Sequence, residues 1–148
     1  MKKSPLQYAL DMVALRDRTE FEINKKMSEK GFAPEEIIKT IKWLKDKKFI
    51  DDEKFADNYV KSQCRIGRNG LFKIKFKLQT LGINKELINK YANCIDTENE
   101  QNRAMELASK WMIKYGHKEK KYDKLGRFLI GRGFPIDIIK NVLDKTLK

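Results

Sequence analysis

Residues 71–88 read LFKIKFKLQTLGINKELI, and this stretch decides the fold. Ile74, Leu78 and Leu81 recur at the spacing of one helix face. Gly82 then supplies the left-handed stop that helix ends favour, and apolar Ile83 follows. Asn84 is a helix N-cap residue, so a second helix begins at once. Related text stands at 21–38, FEINKKMSEKGFAPEEII, and at 123–139, DKLGRFLIGRGFPIDII. Gly31, Gly82 and Gly133 lie at a constant interval of 51 residues. A fixed period of this size marks a chain built from stacked helical units.

The register extends well beyond the glycines. Four residues before them stand Met27, Leu78 and Leu129, and eight before stand Ile23, Ile74 and Leu125. One residue after are Phe32, Ile83 and Phe134; six after are Ile37, Ile88 and Ile139. Upstream, Ala9, Val60 and Trp111 align, as do Val13, Cys64 and Tyr115. Every aligned position is apolar at helical spacing, so each trio of helices closes a small core of its own. The predicted fold is all-α: three tandem three-helix repeats over 1–50, 51–95 and 96–148. A unit of about 50 residues is marginal alone, so the units pack on one another as an elongated, curved body.

Punctuation along the chain agrees with nine helices. Pro5 opens the first, and Thr19 with Glu22 forms a capping box for the second. Gly31 ends the second, Pro34 takes a first-turn position in the third, and Ile37, Ile38, Ile41 and Leu44 supply the third's apolar stripe. Asp51 or Asp52 caps the fourth, whose buried face is Phe55, Ala56, Tyr59, Val60 and Cys64. Gly67-Arg68-Asn69-Gly70 breaks the chain before the fifth. Leu87, Ile88, Tyr91 and Ile95 belong to the sixth. Asp96-Thr97 caps the seventh, which ends near Gly116. The basic link 117–121 is expected to be flexible and leads to the eighth, with Leu125, Phe128 and Leu129. The ninth carries Ile138, Ile139, Val142 and Leu143. In the fifth helix Leu71, Phe72, Ile74, Phe76, Leu78 and Leu81 form an apolar arc of about 220° around a narrow Lys73/Lys77/Thr80 face. An arc that wide is expected to pack on two sides and tie the middle unit to its neighbours. Lys75 falls inside it and must carry its ammonium outward along its stem.

Composition narrows the function. Hydrophobic residues make up 41% and charged residues 36% of the 148, with a formal charge of +12. Such a balance favours a polyanionic partner. No run approaches the roughly 20 apolar residues of a membrane span, and the N-terminal text lacks a signal-peptide core, so a cytoplasmic location is expected. Cys64 and Cys94 have no companion ligands at metal spacing and are expected to be free thiols.

Catalysis finds no constellation. His117 is the single histidine and sits in a lysine-rich link. Asp51, Asp52 and Glu53 read as a helix cap with favourable first-turn charge rather than a metal cluster. The 67–70 glycines lack the Lys and Ser/Thr of a phosphate-binding loop. Trp43 and Trp111 sit among apolar neighbours as core residues. The expectation is a non-enzyme without cofactor or metal.

Read in order, several of these motifs resemble the RecX family, regulatory proteins that bind the RecA recombinase. They are Asp17-Arg18-Thr19 with Glu22, Lys30-Gly31-Phe32, Phe49-Ile50-Asp51-Asp52 with Phe55-Ala56, Arg65 with Gly67 and Gly70, and Ile74, Leu78 and Gly82-Ile83. The resemblance covers nearly the whole chain, and the third unit diverges most. At Asn69-Gly70-Leu71 the chain departs from the shorter Gly-x-Gly turn followed by proline of many members. The resemblance implies three tandem three-helix units and a non-enzymatic role. Such a protein lodges along the groove of the RecA–DNA filament and restrains recombinase and co-protease activity in DNA repair and the SOS response. Its implied partners are the RecA filament and single- and double-stranded DNA without sequence preference, with the protein itself a monomer.

Basic residues are unevenly placed. Between Lys61 and Lys90 eight cations face one acid, Glu86; between Lys110 and Arg132 eight face Glu119 and Asp123. Lysine and arginine bind phosphate irrespective of base sequence. The candidate DNA and filament contacts are Arg65, Arg68, Lys73, Lys77, Lys121, Lys124, Arg127 and Arg132. Two other readings compete: a general nucleic-acid binder of helix-turn-helix type, and a protein-interaction solenoid whose charge serves only solubility.

Overall fold

The computed structural model describes residues 2–147, and the described residues contain nine α-helices and no strand. They are α1 (Pro5–Leu15), α2 (Glu20–Lys30), α3 (Pro34–Asp46), α4 (Asp52–Ile66), α5 (Leu71–Thr80), α6 (Lys85–Ala92), α7 (Thr97–Tyr115), α8 (Lys121–Gly131) and α9 (Ile136–Leu147). Local chemistry sets their ends. Thr19 and Glu22 complete the capping box: each side chain accepts from the other residue's amide at 3.2 Å. Asn84 and Asp96 cap α6 and α7 through their side chains. Gly31, Gly82 and Gly133 all have positive φ, 99°, 79° and 86°, the left-handed conformation expected of them.

The repeat register is a register of burial. Ile23, Ile74 and Leu125 are closed to solvent, as are Met27, Leu78 and Leu129. Ile37, Ile88 and Ile139 are buried too, and so are Ala9, Val60 and Trp111. Three separate apolar clusters result, within α1–α3, α4–α6 and α7–α9. The extensive helix packing lies within each trio. The molecule exposes 9968 Å², against roughly 7,900 Å² for a compact monomer of this mass. The fold is therefore an elongated row of three-helix units.

Three sequence expectations need correction, and the open choice of cap for α4 resolves to one of its two candidates. Ile38 leaves the α3 stripe and is 66% exposed, because Ile37, Ile41 and Leu44 already fill the side facing α1 and α2. Trp43 is only half-buried, with its ring stacked on Phe49 at 5.6 Å. Asp51 alone caps α4, through Lys54's amide; Asp52 instead accepts from the Glu20 amide at 2.9 Å. In α5, Ile74 and Leu78 are buried, but Phe72 and Phe76 stand in solvent at 55% and 65% exposure. The wide apolar arc thus packs on one side only.

What ties the units together is the start of one helix set against the glycine turn of the next unit. At the first joint the Thr19 hydroxyl donates to the Leu81 carbonyl at 2.6 Å, and Phe21 packs on Gly82. At the second, the Gly70 amide donates to the Arg132 carbonyl at 2.6 Å and the Phe72 amide to the Gly133 carbonyl at 2.9 Å. Thr19 and Gly70, like Leu81 and Arg132, are 51 residues apart. The same register positions meet at both joints, through a side-chain hydroxyl at the first and backbone amides at the second.

Candidate nucleic-acid and filament interface

The second joint is where the two basic clusters meet. Gly70 opens α5, and its amide and those of Leu71 and Phe72 lie outside the intrahelical ladder. Gly70 and Phe72 donate to the α8–α9 turn, and Leu71 donates to Glu100 Oε2 at 2.5 Å. Three of the four free amides of the helix start are thereby satisfied across the joint. The fit is close enough that a Cβ on Gly133 would overlap the Lys73 backbone. The backbone at Lys73 of the first cluster is consequently held against the turn that follows Arg132 of the second.

From this joint the remaining candidates run outward. Arg68 lies in the turn just before Gly70, and Arg65 on the last turn of α4; both are exposed. Lys77 is exposed one turn beyond Lys73 along α5. Arg127, Lys124 and Lys121 are exposed along α8, the last of them roughly 16 Å from Arg132 at 1.5 Å per residue. Arg132 itself is half-buried, with its guanidinium 5.4 Å from the centre of the Phe128 ring. The backbones at Lys73 and Arg132 therefore meet at one joint, with Arg68 two residues before Gly70, whereas Lys121 stands apart at the far end of α8.

Among the described residues, the eight candidates share with many other cations of the chain the lack of a carboxylate partner, while a smaller set is paired. Lys3, Arg16, Arg18, Lys45, Lys61, Lys90 and Lys110 each have a carboxylate partner within 4 Å. None of the eight candidates has one among the described residues. No carboxylate of the described residues lies within 4 Å to compensate their charge. No group of three or more His, Cys, Asp or Glu that could hold a metal occurs among the described residues. His117 is exposed, and both thiols are free.

Two buried charged residues are invisible to sequence patterning. Glu100 and Arg103 are 3% and 8% exposed on α7. Burial pushes the Glu100 carboxyl above its ordinary value, while the Leu71 amide and the Arg103 charge pull the other way. Arg103 Nε and Nη2 find no hydrogen-bond partner. An acid in the first turns of a helix ordinarily faces water, so nothing local marks Glu100 as the acceptor for a helix 29 residues earlier. Asp52 does the same work at the first joint, and burial likewise raises its carboxyl above the usual range.

The fold is that of a tandem three-helix-repeat protein whose neighbouring units dock through helix starts and glycine turns. Three family models match in chain order: RecX first three-helix domain at 6–44, second at 51–91 and third at 98–143. The chain belongs to the RecX family. Regulatory protein RecX of Clostridium tetani is 35% identical over 143 residues, which are 94% of this chain and 65% of that one. That of Prosthecochloris aestuarii is 28% identical over 149 residues, covering 98% and 95%. The crystal structure of RecX from Lactobacillus salivarius superposes with a TM-score of 0.82 at 24% identity, covering 96% of this chain and 94% of that one. A second crystal structure, of regulatory protein RecX, gives 0.86 at 25% identity over 95% and 71%. The chain spans 62–65% of the length of several clostridial relatives. Among the described residues no helix is long and apolar enough to cross a membrane.

Proposed function

We propose that this chain modulates the RecA recombinase filament, binding the filament and its DNA and mainly inhibiting recombinase and co-protease activity. The observation that carries this reading is the backbone joint that sets the start of α5, with Lys73, against the Arg132-Gly133 turn. Arg68 stands two residues before Gly70, and none of the three is paired to an acid among the described residues. An elongated body with such a joint suits a long polyanionic filament better than a compact target does. Its action is steric and electrostatic: a basic body bridges successive filament protomers, and no bond is made or broken. DNA is engaged through phosphate, without base sequence preference, and its affinity falls steeply with salt. The repeats 1–50, 51–95 and 96–148 act together as one cytoplasmic monomer.

The test is titration of the protein into strand-exchange and repressor-cleavage reactions of its cognate recombinase. Both should fall at stoichiometric protein. Unchanged rates there, with the protein folded, would rule the reading out. Substituting Lys73, Arg132 and Arg68 by Gln should relieve the inhibition without lowering the melting temperature by more than a few degrees.

A further inference from the structure

Two phenylalanines on α5 are unexplained by the fold. Phe72 and Phe76, one turn apart, are 55% and 65% exposed, while Ile74 and Leu78 on the opposite side fill the core. Phe49, also half in solvent, has its ring stacked on Trp43. Neither Phe72 nor Phe76 pairs with another ring among the described residues. Their faces are open.

The surroundings say what could cover them. Lys73 and Lys77 lie next along the helix surface, about 100° round, and both are exposed. Neither has a carboxylate partner, and the single acid between Lys61 and Lys90 is Glu86. An apolar protein surface would have to desolvate these ammonium groups without compensation. A nucleic acid strand offers phosphates to the lysines and flat rings to the phenylalanines. Aromatic rings beside a cationic track are the usual means of holding unpaired bases. In a duplex the bases are closed between their neighbours and offer no free face. Phe72 and Phe76 also stand roughly 6 Å apart along the helix axis, wider than the 3.4 Å step of a duplex strand. An extended single strand can span that gap from base to base. The platform is rigid, since the start of α5 is held across the joint by the Gly70, Leu71 and Phe72 amides.

We infer that Phe72 and Phe76 form a stacking platform for two unpaired bases of a single-stranded nucleic acid, whose phosphates Lys73 and Lys77 neutralise. This rests on the DNA-binding half of the proposed function and adds to it a preference for single strands over duplex.

Binding of the full chain to fluorescein-labelled oligo(dT) and to a labelled duplex of equal length, each across a salt series, tests it. Phe72→Ala with Phe76→Ala should weaken oligo(dT) binding at least tenfold, leave its salt slope unchanged, and leave duplex binding within about twofold. Lys73→Gln with Lys77→Gln should weaken both and lower both slopes. Phe76→Trp should retain oligo(dT) affinity, with added emission that oligo(dT) quenches. Both rings are exposed, so the melting temperature of the Ala pair serves as the folding control. Unchanged oligo(dT) affinity in the Ala pair overturns the inference, as does an equal loss on duplex. Loss of recombinase-filament binding with oligo(dT) affinity intact would make this a protein contact and overturn it too. If the unaltered chain binds neither DNA, the DNA half of the proposed function fails with it. Binding that is insensitive to both rings overturns the stacking platform alone.

Discussion

Thr19 donates its hydroxyl to the carbonyl of Leu81, 62 residues along the chain, at 2.6 Å, while the same oxygen accepts from the Glu22 amide at 3.2 Å. One buried side chain both starts α2 and binds the first unit to the second. Thr19→Ala removes the cap and strands a carbonyl at the joint. It should cost about 2–3 kcal/mol in urea unfolding, whereas Thr19→Ser should stay within about 1 kcal/mol. A smaller loss for Ala would mean that water replaces the hydroxyl at the joint.

The three register glycines differ in what surrounds them, which separates backbone strain from docking. All have positive φ, but a Cβ at Gly31 would meet nothing within 4 Å. At Gly82 it would overlap Phe21, and at Gly133 the backbone of Lys73. Gly31→Ala should cost about 1 kcal/mol of backbone strain. Gly82→Ala and Gly133→Ala should cost roughly 1–3 kcal/mol more, from overpacking at the joints. Thermal melts of the three variants side by side would rank them, and equal losses would sink the docking account.

Glu100 makes the second joint sensitive to pH. Burial raises its carboxyl above the ordinary 4.5, so the folded state binds this proton more tightly than the unfolded chain does. That contribution to stability is complete below pH 4.5 and is lost as pH rises through the raised folded value. Glu100→Gln keeps an acceptor for the Leu71 amide and carries no charge. The variant should gain on the natural protein toward neutral pH, and the gain should vanish in acid. Glu100→Ala instead leaves that amide without a partner, at a cost of about 1–3 kcal/mol. Melting curves at roughly pH 4 and pH 7 decide between these outcomes.

Neutralising the joint should change DNA binding by charge alone. Lys73→Gln and Lys77→Gln should each reduce the duplex salt slope by about 0.9 for every phosphate the lysine neutralises. Lys3→Gln should leave the slope unchanged, since Lys3 is already paired with Asp11. A fall in affinity at constant slope would exclude direct phosphate binding by either lysine on α5.

Much of the molecule is legible in its residues because helix signals are local. Thr19 with Glu22, Pro34, Asn84 and Asp96 act within one turn, and Gly31, Gly82 and Gly133 mark stops by their own backbone freedom. The apolar register at an interval of 51 residues needs only the helix period to reveal three small cores. The basic clusters are equally plain as composition. How their backbones meet is not, because the Arg132-Gly133 turn docks on the amides at the start of α5 from far along the chain. Phe72 and Phe76 illustrate the same boundary. Periodicity counts them with the apolar arc, but one face of a short helix fills its core, and the joint is made by helix starts and carbonyls. Whether a phenylalanine is buried depends on neighbours distant in sequence. For that reason the helices, stops and cores follow from local text, while the joints, the buried Glu100 and the exposed aromatic face exist only once the units have docked.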